Sequence, residues 1–122
     1  MKRVEIIYGG ASNEKEISYL TAKSIYEHID TDLYNPGLTD LSKFDPDNFD
    51  NETIFFIAVH GEGGEDGKIQ TQLENKKRKF TGSSSESCIL TWDKVATKRA
   101  LIANDILTPQ FKSIKNNEHF DF

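Results

Sequence analysis

Residues 53–59 have the sequence TIFFIAV, a nearly unbroken apolar run of residues that favour β structure. A run of this length and composition is typical of a strand that is covered on both faces, as strands are in parallel sheets. We therefore expect residues 53–59 to form the central and most buried strand of a sheet. The glycine-rich loop that follows, residues 60–67, would then lie at the carboxyl end of that strand.

The amino-terminal segment predicts a strand, a turn and a helix. Val4–Tyr8 is rich in β-forming residues and is halted by two glycines. Asn13, followed three residues later by Glu16, has the spacing of a helix cap and its reciprocal partner. The helix should end near Asp30 and pack on the sheet through one apolar face. That face comprises Ile17, Leu20, Ile25 and Ile29.

The remaining segments alternate in the same way. Leu33–Thr39 predicts a second strand, in which Pro36 removes one ladder donor and indicates an edge position or a bulge. Residues 40–52 are polar and predict a loop with a short helical turn. Beyond residue 59 we expect a helix at 68–75, a strand at 79–81, and helices at 86–90 and 93–104. This alternation predicts an α/β fold with a doubly wound parallel sheet, followed from residue 112 by a frayed tail.

Composition narrows the range of partners. The 122 residues, 36% of them hydrophobic and 29% charged, suffice for one compact domain. The formal net charge of -5 argues against a general affinity for nucleic acid or a membrane surface, so a small metabolite or a protein is expected instead. No apolar stretch resembles a signal-peptide core or a membrane span, which favours a cytoplasmic location. The single cysteine, Cys88, excludes an internal disulfide and is expected to be a buried or half-buried thiol.

Two loops lie where an open α/β sheet binds ligands, beyond the carboxyl ends of its strands. In the first, residues 9–14, paired glycines allow the backbone to come close to a ligand and the helix start offers free N–H donors. Glu14 adds a carboxylate that could hold an ammonium group. The alternative is a plain tight turn, with Glu14 favoured only by the helix dipole.

The second loop, residues 60–67, contains four glycines, three acids and a histidine. His60 could donate a hydrogen bond to a carboxylate or orient Glu14, or it could be a histidine satisfied by backbone at a strand end. The loop lacks the spacing of a calcium site, and the chain contains no dinucleotide-binding or P-loop fingerprint. We therefore favour a ligand-binding role for this loop and predict no metal site.

Other charged residues carry weaker signals. The basic run at 76–79 could contact phosphate, but a solvated turn is the commoner explanation. Lys94 and Lys98 lie one helical turn apart, so both could face an anion or simply line an exposed helix face. His28 and His119 have no comparable setting, and we expect neither to be functional.

Several stretches resemble the amino-terminal signatures of D-alanine–D-alanine ligases. Residues 9–18, GGASNEKEIS, look like the family's G-G-x-S-x-E-x-E-V/I-S. Residues 60–74, HGEGGEDGKIQTQLE, are similar to its H-G-x-G-G-E-D-G-x-I/L-Q-x-x-L/M-E, and residues 80–83, FTGS, to its Y-T-G-S. Residues 92–98, WDKVATK, with Leu107-Thr108-Pro109 beyond them, resemble its M/W-D-K-x-x-T/S-K and the segment after it. The matches run in family order from about Val4 to Phe111.

The resemblance implies an ATP-grasp ligase that joins two D-alanine molecules through an acyl phosphate, with magnesium offsetting the charge of ATP. Residues 1–98 would be its Rossmann-like, three-layered pre-ATP-grasp domain. Residues 99–122 would begin the linker to a central domain. The resemblance also implies a homodimer formed through this same domain.

The resemblance implies roles for individual residues as well. Glu14 and His60 would be the catalytic residues of this domain, with Glu14 binding the ammonium of the first D-alanine and His60 positioning that substrate. Ser18 and Gly61 would contribute to substrate binding through backbone contacts or by supporting the residues that contact the substrate. Lys94 would lie on the nucleotide side and contact ATP.

The sequence also departs from the family pattern. Residues 83–88 are more polar than the family's small apolar stretch, which leaves the packing of that helix start open. The phosphate loop, magnesium carboxylates and oxyanion-stabilising arginine of an ATP-grasp ligase are absent, so we expect the isolated chain to be inactive and to bind neither ATP nor Mg²⁺ tightly. Two alternatives remain: a stand-alone, non-catalytic binding module, and the same domain of a ligase joining D-alanine to D-lactate or D-serine.

Overall fold

The structure, a computed structural model, describes residues 1–115. Within them, four strands form one parallel sheet in the order β2-β1-β3-β4. The strands are β1 Lys2–Tyr8, β2 Tyr34–Asp40, β3 Ile54–Ile57 and β4 Lys79–Phe80. The helices are α1 Lys15–His28, α2 Lys68–Asn75, α3 Ser85–Trp92 and α4 Lys94–Ala103, with two short 3-10 turns at Leu41–Lys43 and Pro46–Asn48.

Each face of the sheet has its own apolar cluster, because successive strand residues point to opposite faces. One face packs against α1, and its buried residues are Val4, Ile6, Ala22 and Ala58. The other packs against α2 and the segment after β2, and its buried residues are Ile7, Phe55, Val59, Ile69 and Leu73. Helix, sheet and helix form three layers, so the predicted doubly wound parallel α/β fold is confirmed.

The strand order creates a switch point between β1 and β3. The chain runs from β1 through α1 to β2 on one side, and then returns across β1 to form β3 on the other. In such a sheet the connections after the two strands diverge to opposite faces and leave a crevice between them. The loops at 9–14 and 60–67 begin at this crevice.

β2 lies at the edge of the sheet, as Pro36 indicated. Its register with β1 is unbroken from Lys2 opposite Tyr34 to Tyr8 opposite Asp40, so the proline is accommodated without a bulge. The predicted loop at 40–52 is confirmed, with its two 3-10 turns.

β3 is an interior strand, but the prediction that it is the most buried one is wrong. Residues 4–7 of β1 are all buried, whereas in β3 only Phe55 is buried and the other three residues are partly exposed. β1 lies between β3 and the seven-residue strand β2, while the outer neighbour of β3 is the two-residue strand β4. The shorter outer neighbour covers less of β3.

α1 contacts the sheet through a different stripe of residues from the one predicted. Ser18 and Ala22 are buried, and Ile25 and Ile29 pack beside them as expected. Ile17 and Leu20, in contrast, are 54% and 58% exposed. Small side chains let a helix approach a sheet closely, which turns the large neighbouring side chains outward. The predicted apolar face is therefore wrong in its first half.

The start of α1 also differs from the prediction. The helix begins at Lys15 with Glu14 in the capping position, and no side chain caps it. Asn13 is not the cap, because the chain is still turning there. The hydroxyl of Ser12 instead accepts a hydrogen bond from the N–H of Glu14 at 3.2 Å.

The basic run at 76–79 is not the solvated turn that was predicted. Arg78 is buried, and its guanidinium lies 5.4 Å from the ring centre of Phe55. It donates hydrogen bonds to four acceptors in the loop before β3, namely Pro46 O, Phe49 O, Asp50 O and Asn51 Oδ1. Lys76 and Lys79 form ion pairs with Asp47 and Glu52. The run therefore fastens this loop to the start of β4.

The elements after β3 lie close to their predicted positions. α2 has the predicted bounds, and α4 lies within the predicted 93–104 with Asp93 as its cap. The polar stretch at 83–88 starts α3: the hydroxyl of Ser84 accepts from the N–H of Ser87 at 3.3 Å, and the N–H of Ser85 donates to Glu74 Oε1 at 2.9 Å. Its serines thus cap the helix and hold it to α2.

The carboxy-terminal part of the described chain is irregular. Residues 104–115 contain no helix or strand, and the rest of the predicted tail, with His119, lies outside the described residues. The predicted boundary between residues 98 and 99 falls inside α4, and the division there stays a prediction. None of the helices in residues 1–115 is both long and apolar enough to cross a membrane.

Candidate functional site

The loops after β1 and β3 are joined directly at the switch point. The hydroxyl of Ser12, in the first loop, donates to the backbone oxygen of His60 at 3.1 Å. Beneath this contact, the N–H of Ala58 donates to the oxygen of Ile7 at 2.8 Å and extends the pairing of the two strands. The loops predicted from sequence to bind a ligand therefore lie side by side.

Ser18 holds α1 against the ends of both strands. Its side chain is fully buried. The hydroxyl accepts a hydrogen bond from the N–H of Gly9 at 2.9 Å and donates one to the oxygen of Ala58 at 2.7 Å. Because these bonds occupy the hydroxyl, they favour a positioning role, and direct contact between Ser18 and a substrate stays a prediction.

Glu14 lies at the start of α1, with its carboxylate against the backbone of Gly61. A Cβ atom on Gly61 would stand 2.9 Å from Glu14 Oε2 and 3.1 Å from the hydroxyl of Ser12. Gly61 also has a φ of +70°, which side chains rarely allow. Glycine at this position thus leaves room for the Glu14 carboxylate between the two loops.

His60 lies between α1 and its own loop. Its Nε2 is 3.0 Å from the hydroxyl oxygen of Thr21, and its Nδ1 is 4.0 Å from Glu65 Oε1. The ring thus faces side chains rather than the backbone that the alternative interpretation required. No hydrogen bond joins His60 and Glu14 in the described chain, so an orienting contact between these two side chains is not supported.

An open cavity of about 470 Å³ extends from the end of β3 to α3 and α4. Its lining includes Thr21, His60, Glu65, Gln70, Trp92 and Lys94. The cavity therefore brings together His60 and Lys94, which are 34 residues apart in sequence. Glu14 and Ser18 are not part of the lining; they lie at the loop junction.

The two lysines of α4 have different partners. The ammonium of Lys94 donates to the oxygen of Thr91 at 3.2 Å, at the cavity. That of Lys98 donates to Thr108 Oγ1 at 2.6 Å and to the oxygen of Pro109 at 3.0 Å, with the ring of Phe111 nearby. Lys98 holds the chain after α4, so the two lysines do not face one shared anion.

Asp66 and Cys88, which lie near the cavity, have structural surroundings. Burial raises the pKa of Asp66, but hydrogen bonds from the N–H groups of Lys68 and Gly63 and from the Lys68 ammonium outweigh it and hold the pKa below its ordinary value. Asp66 thereby folds its own loop and remains ionised. Cys88 is half-buried, as predicted; burial and the nearby carboxylates, including Glu74, raise the pKa of its thiol. Neither group has the properties of a nucleophile.

Metal ligands are not assembled in this part of the protein. Within residues 1–115, no group of three or more His, Cys, Asp or Glu side chains is arranged to hold a metal ion. The candidate residues thus fall into two places: Glu14 lies at the junction of the two loops, and His60 and Lys94 line the cavity.

Thr21 is the site residue that the sequence interpretation missed. It lies one helical turn after Ser18 on α1, on the face that overlies the end of β3. The only signal in the sequence is that Thr21 follows Ser18 by three residues and so lies on the same side of α1. A threonine in a helix indicates no function until the position of α1 relative to β3 is known.

Comparison with known proteins identifies the relatives of the chain. No family model matches it. The D-alanine–D-alanine ligase of Bordetella avium (strain 197N) is 35% identical over 120 residues, which cover 94% of this chain and 37% of that protein. The D-alanine–D-alanine ligase of Marinomonas sp. (strain MWYL1) is 37% identical over 128 residues, which cover 97% of this chain and 39% of that protein. The chain thus spans little more than a third of the length of these curated relatives.

Solved structures agree in fold and in extent. The crystal structure of a D-alanine–D-alanine ligase from Bacillus anthracis complexed with ATP superimposes with a TM-score of 0.86 at 28% sequence identity. The match covers 100% of this chain and 43% of that one. In sequence and in fold, the chain corresponds to the amino-terminal part of D-alanine–D-alanine ligases.

Proposed function

We propose that this chain provides the site for the first D-alanine in a D-alanine–D-alanine ligase. The observation that carries the proposal is the hydrogen bond between the Ser12 hydroxyl and the His60 oxygen, which joins the two glycine-rich loops. This bond brings the loop that carries Glu14 against the loop that carries His60, and the Glu14 carboxylate lies beside Gly61, the residue after His60. A zwitterionic amino acid needs an anion for its ammonium group and a donor for its carboxylate, and these two side chains would supply both.

Each proposed contact follows from the chemistry of the group. Glu14 would form a charge-assisted hydrogen bond with the substrate ammonium. His60 would donate to the substrate carboxylate from the cavity wall. Ser18 would hold the loops in place from below, and Gly61 would leave the space that the Glu14 carboxylate occupies.

We propose that Lys94 contacts ATP at the far end of the same cavity. Its ammonium lies at the cavity wall with one backbone partner and retains donors for a phosphate oxygen. When bound, ATP would supply the phosphoryl group that activates the substrate carboxylate. Because the described residues do not converge on a metal ion, we assign no Mg²⁺ ligand to them.

Ligation itself is proposed for a longer polypeptide. The chain spans little more than a third of its curated relatives, so we expect these 122 residues alone to show no ligase activity. Residues 1–98 would form the substrate domain, and residues 99–122 the beginning of a linker, in a cytoplasmic enzyme. The same half-site would serve a ligase for D-lactate or D-serine, or a non-catalytic binding module, because its contacts involve only the first substrate.

Isothermal titration of the chain with D-alanine tests this proposal. We expect weak binding that Glu14→Gln reduces by at least about tenfold, because the ammonium loses its ionic partner. Glu27→Gln makes the same charge change at the other end of α1 and should bind as the unaltered chain does. Unchanged affinity in Glu14→Gln would contradict the role given to Glu14. No heat from the unaltered chain would show that these residues alone do not form the site.

We propose that the exposed apolar residues of α1 belong to a homodimer interface. Ile17, Tyr19 and Leu20 are exposed, and the ring of Tyr19 packs edge to face on Tyr8 at 5.4 Å. Contiguous exposed apolar side chains of this kind mark association surfaces.

Sedimentation equilibrium tests the interface. Leu20→Glu should shift the chain from dimer towards monomer, because a charge would be buried between the protomers. Leu33→Glu introduces the same change at a leucine that is 59% exposed in the turn after α1, and should leave the dimer intact. Equal dimerisation of both variants would place the interface elsewhere.

A further inference from the structure

Thr21 differs from the other helical threonines in residues 1–115. Thr71, Thr91 and Thr97 each donate a hydrogen bond to the carbonyl oxygen one helical turn earlier, at 2.7, 2.8 and 2.8 Å. That bond is the usual local partner for threonine within a helix. The hydroxyl of Thr21 is instead 3.0 Å from His60 Nε2.

The two nitrogens of His60 meet different partners. Nε2 faces the Thr21 hydroxyl, whereas Nδ1 faces Glu65 Oε1 at 4.0 Å. An ionised carboxylate only accepts hydrogen bonds, so a proton on Nδ1 is favoured beside it. Nε2 then has a free lone pair for the hydroxyl proton of Thr21. The opposite tautomer would direct the Nδ1 lone pair at the carboxylate and leave that hydroxyl proton without an acceptor among the described contacts.

We propose that Thr21 is a positioning residue: by donating to Nε2 it holds His60 as the Nδ1–H tautomer and makes Nδ1–H the group that His60 offers to a ligand carboxylate. Only the identity of the ligand rests on the proposed function.

The surroundings of Nδ1 leave room for that ligand. The 4.0 Å separation from Glu65 is longer than a hydrogen bond, so the Nδ1–H is not committed to it. Glu65 is exposed and its side chain can turn towards solvent. Thr21, His60 and Glu65 all line the same cavity, where an amino-acid carboxylate can reach Nδ1.

Nitrogen NMR of the ¹⁵N-histidine-labelled chain reads the tautomer directly. Spectra recorded at about pH 9, where an ordinary imidazole is neutral, should show His60, assigned by comparison with His60→Gln, as Nδ1–H. Thr21→Val keeps the shape of the side chain but removes the hydroxyl, and should lower the ratio of Nδ1–H to Nε2–H about fivefold, as loss of one hydrogen bond predicts. Thr21→Ser keeps the hydroxyl and should restore the ratio.

His28 serves as an internal control. Its Nδ1 bonds to the oxygen of Ser24 at 2.8 Å and has no contact with the Thr21 hydroxyl among the described hydrogen bonds, so its signals should be the same in every folded variant. Thr21→Ala also removes the hydroxyl and provides the measurement if the valine variant unfolds. An Nε2–H tautomer in the unaltered chain, or an unchanged ratio when the hydroxyl is removed, would overturn the proposal.

Titration with D-alanine separates this proposal from the proposed function. If the unaltered chain binds D-alanine and Thr21→Val binds it more weakly while Thr21→Ser does not, both are supported. If the unaltered chain does not bind D-alanine but the tautomer responds as expected, the ligand assignment fails and the role of Thr21 stands.

Discussion

Replacing Arg78 by methionine should lower the free energy of unfolding by about 4 kcal/mol. The methionine would fill part of the same volume, but three backbone oxygens of the loop before β3 would lose the donor that the guanidinium gives them. Phe49 O would have no other donor among the described contacts, whereas Pro46 O and Asp50 O would each keep one backbone N–H. A buried acceptor without a partner costs about 1–3 kcal/mol. Replacing both members of a buried charged pair by apolar side chains often leaves the free energy of unfolding unchanged. Here the acceptors of Arg78 are mostly backbone oxygens, which a substitution cannot remove.

Urea unfolding followed by circular dichroism measures this loss. Lys77→Met is the matched control, because Lys77 is an exposed neighbour in the same basic run and its replacement should change stability by less than about 0.5 kcal/mol. Arg78→Lys should give an intermediate loss, since an ammonium cannot reproduce the planar array of donors. If Arg78→Met and Lys77→Met were equally stable, the network around Arg78 would contribute nothing net.

Gly64→Ala should lower the free energy of unfolding by about 3 kcal/mol. A Cβ atom at this position would stand 2.3 Å from the backbone oxygen of Val59 and 2.6 Å from its Cβ. Neither atom can move without displacing the buried chain that follows β3. The oxygen of Gly64 is also held by Gln70 Nε2 at 2.7 Å, so the loop cannot shift outward freely.

Gly82→Ala separates this steric effect from backbone strain. Gly82 has a φ of +107°, but no atom lies within 4 Å of the place that a Cβ atom would occupy. Alanine there should cost only about 1 kcal/mol, the strain of a rarely populated conformation. Thermal unfolding of both variants gives the comparison, and equal losses would refute the steric explanation for Gly64.

Local patterns in the sequence were sufficient for most of the fold. The apolar run at 53–59, the glycines that end β1 and the spacing of α2 predict their elements because β propensity, turn-forming residues and side-chain periodicity are properties of each segment alone. The errors arose where distant segments decide. Ile17 and Leu20 look like a buried face until the close approach of Ser18 and Ala22 to the sheet is known. Arg78 looks solvated until the loop carbonyls around it are in place.

The sequence indicates the loops of the candidate site but not the side chains that brace them. Glu14 and His60 lie in loops whose glycines and position after strands predict a ligand site from sequence alone. The sequence does not show which side chains brace these loops. Thr21 meets His60, and Ser18 meets Ala58, only because α1 crosses the ends of two strands that are far apart in sequence. The order of the strands and the path of α1 determine these contacts, so no local sequence pattern predicts them.

The two outer strands of the sheet restrict how this protein can assemble. An exposed strand edge with a full row of backbone donors and acceptors can recruit a strand from another molecule and grow into an aggregate. At one edge Pro36 interrupts the row of donors, and at the other β4 is only two residues long. Neither edge offers a long, uninterrupted row of backbone donors, so both edges disfavour the addition of a strand from another molecule.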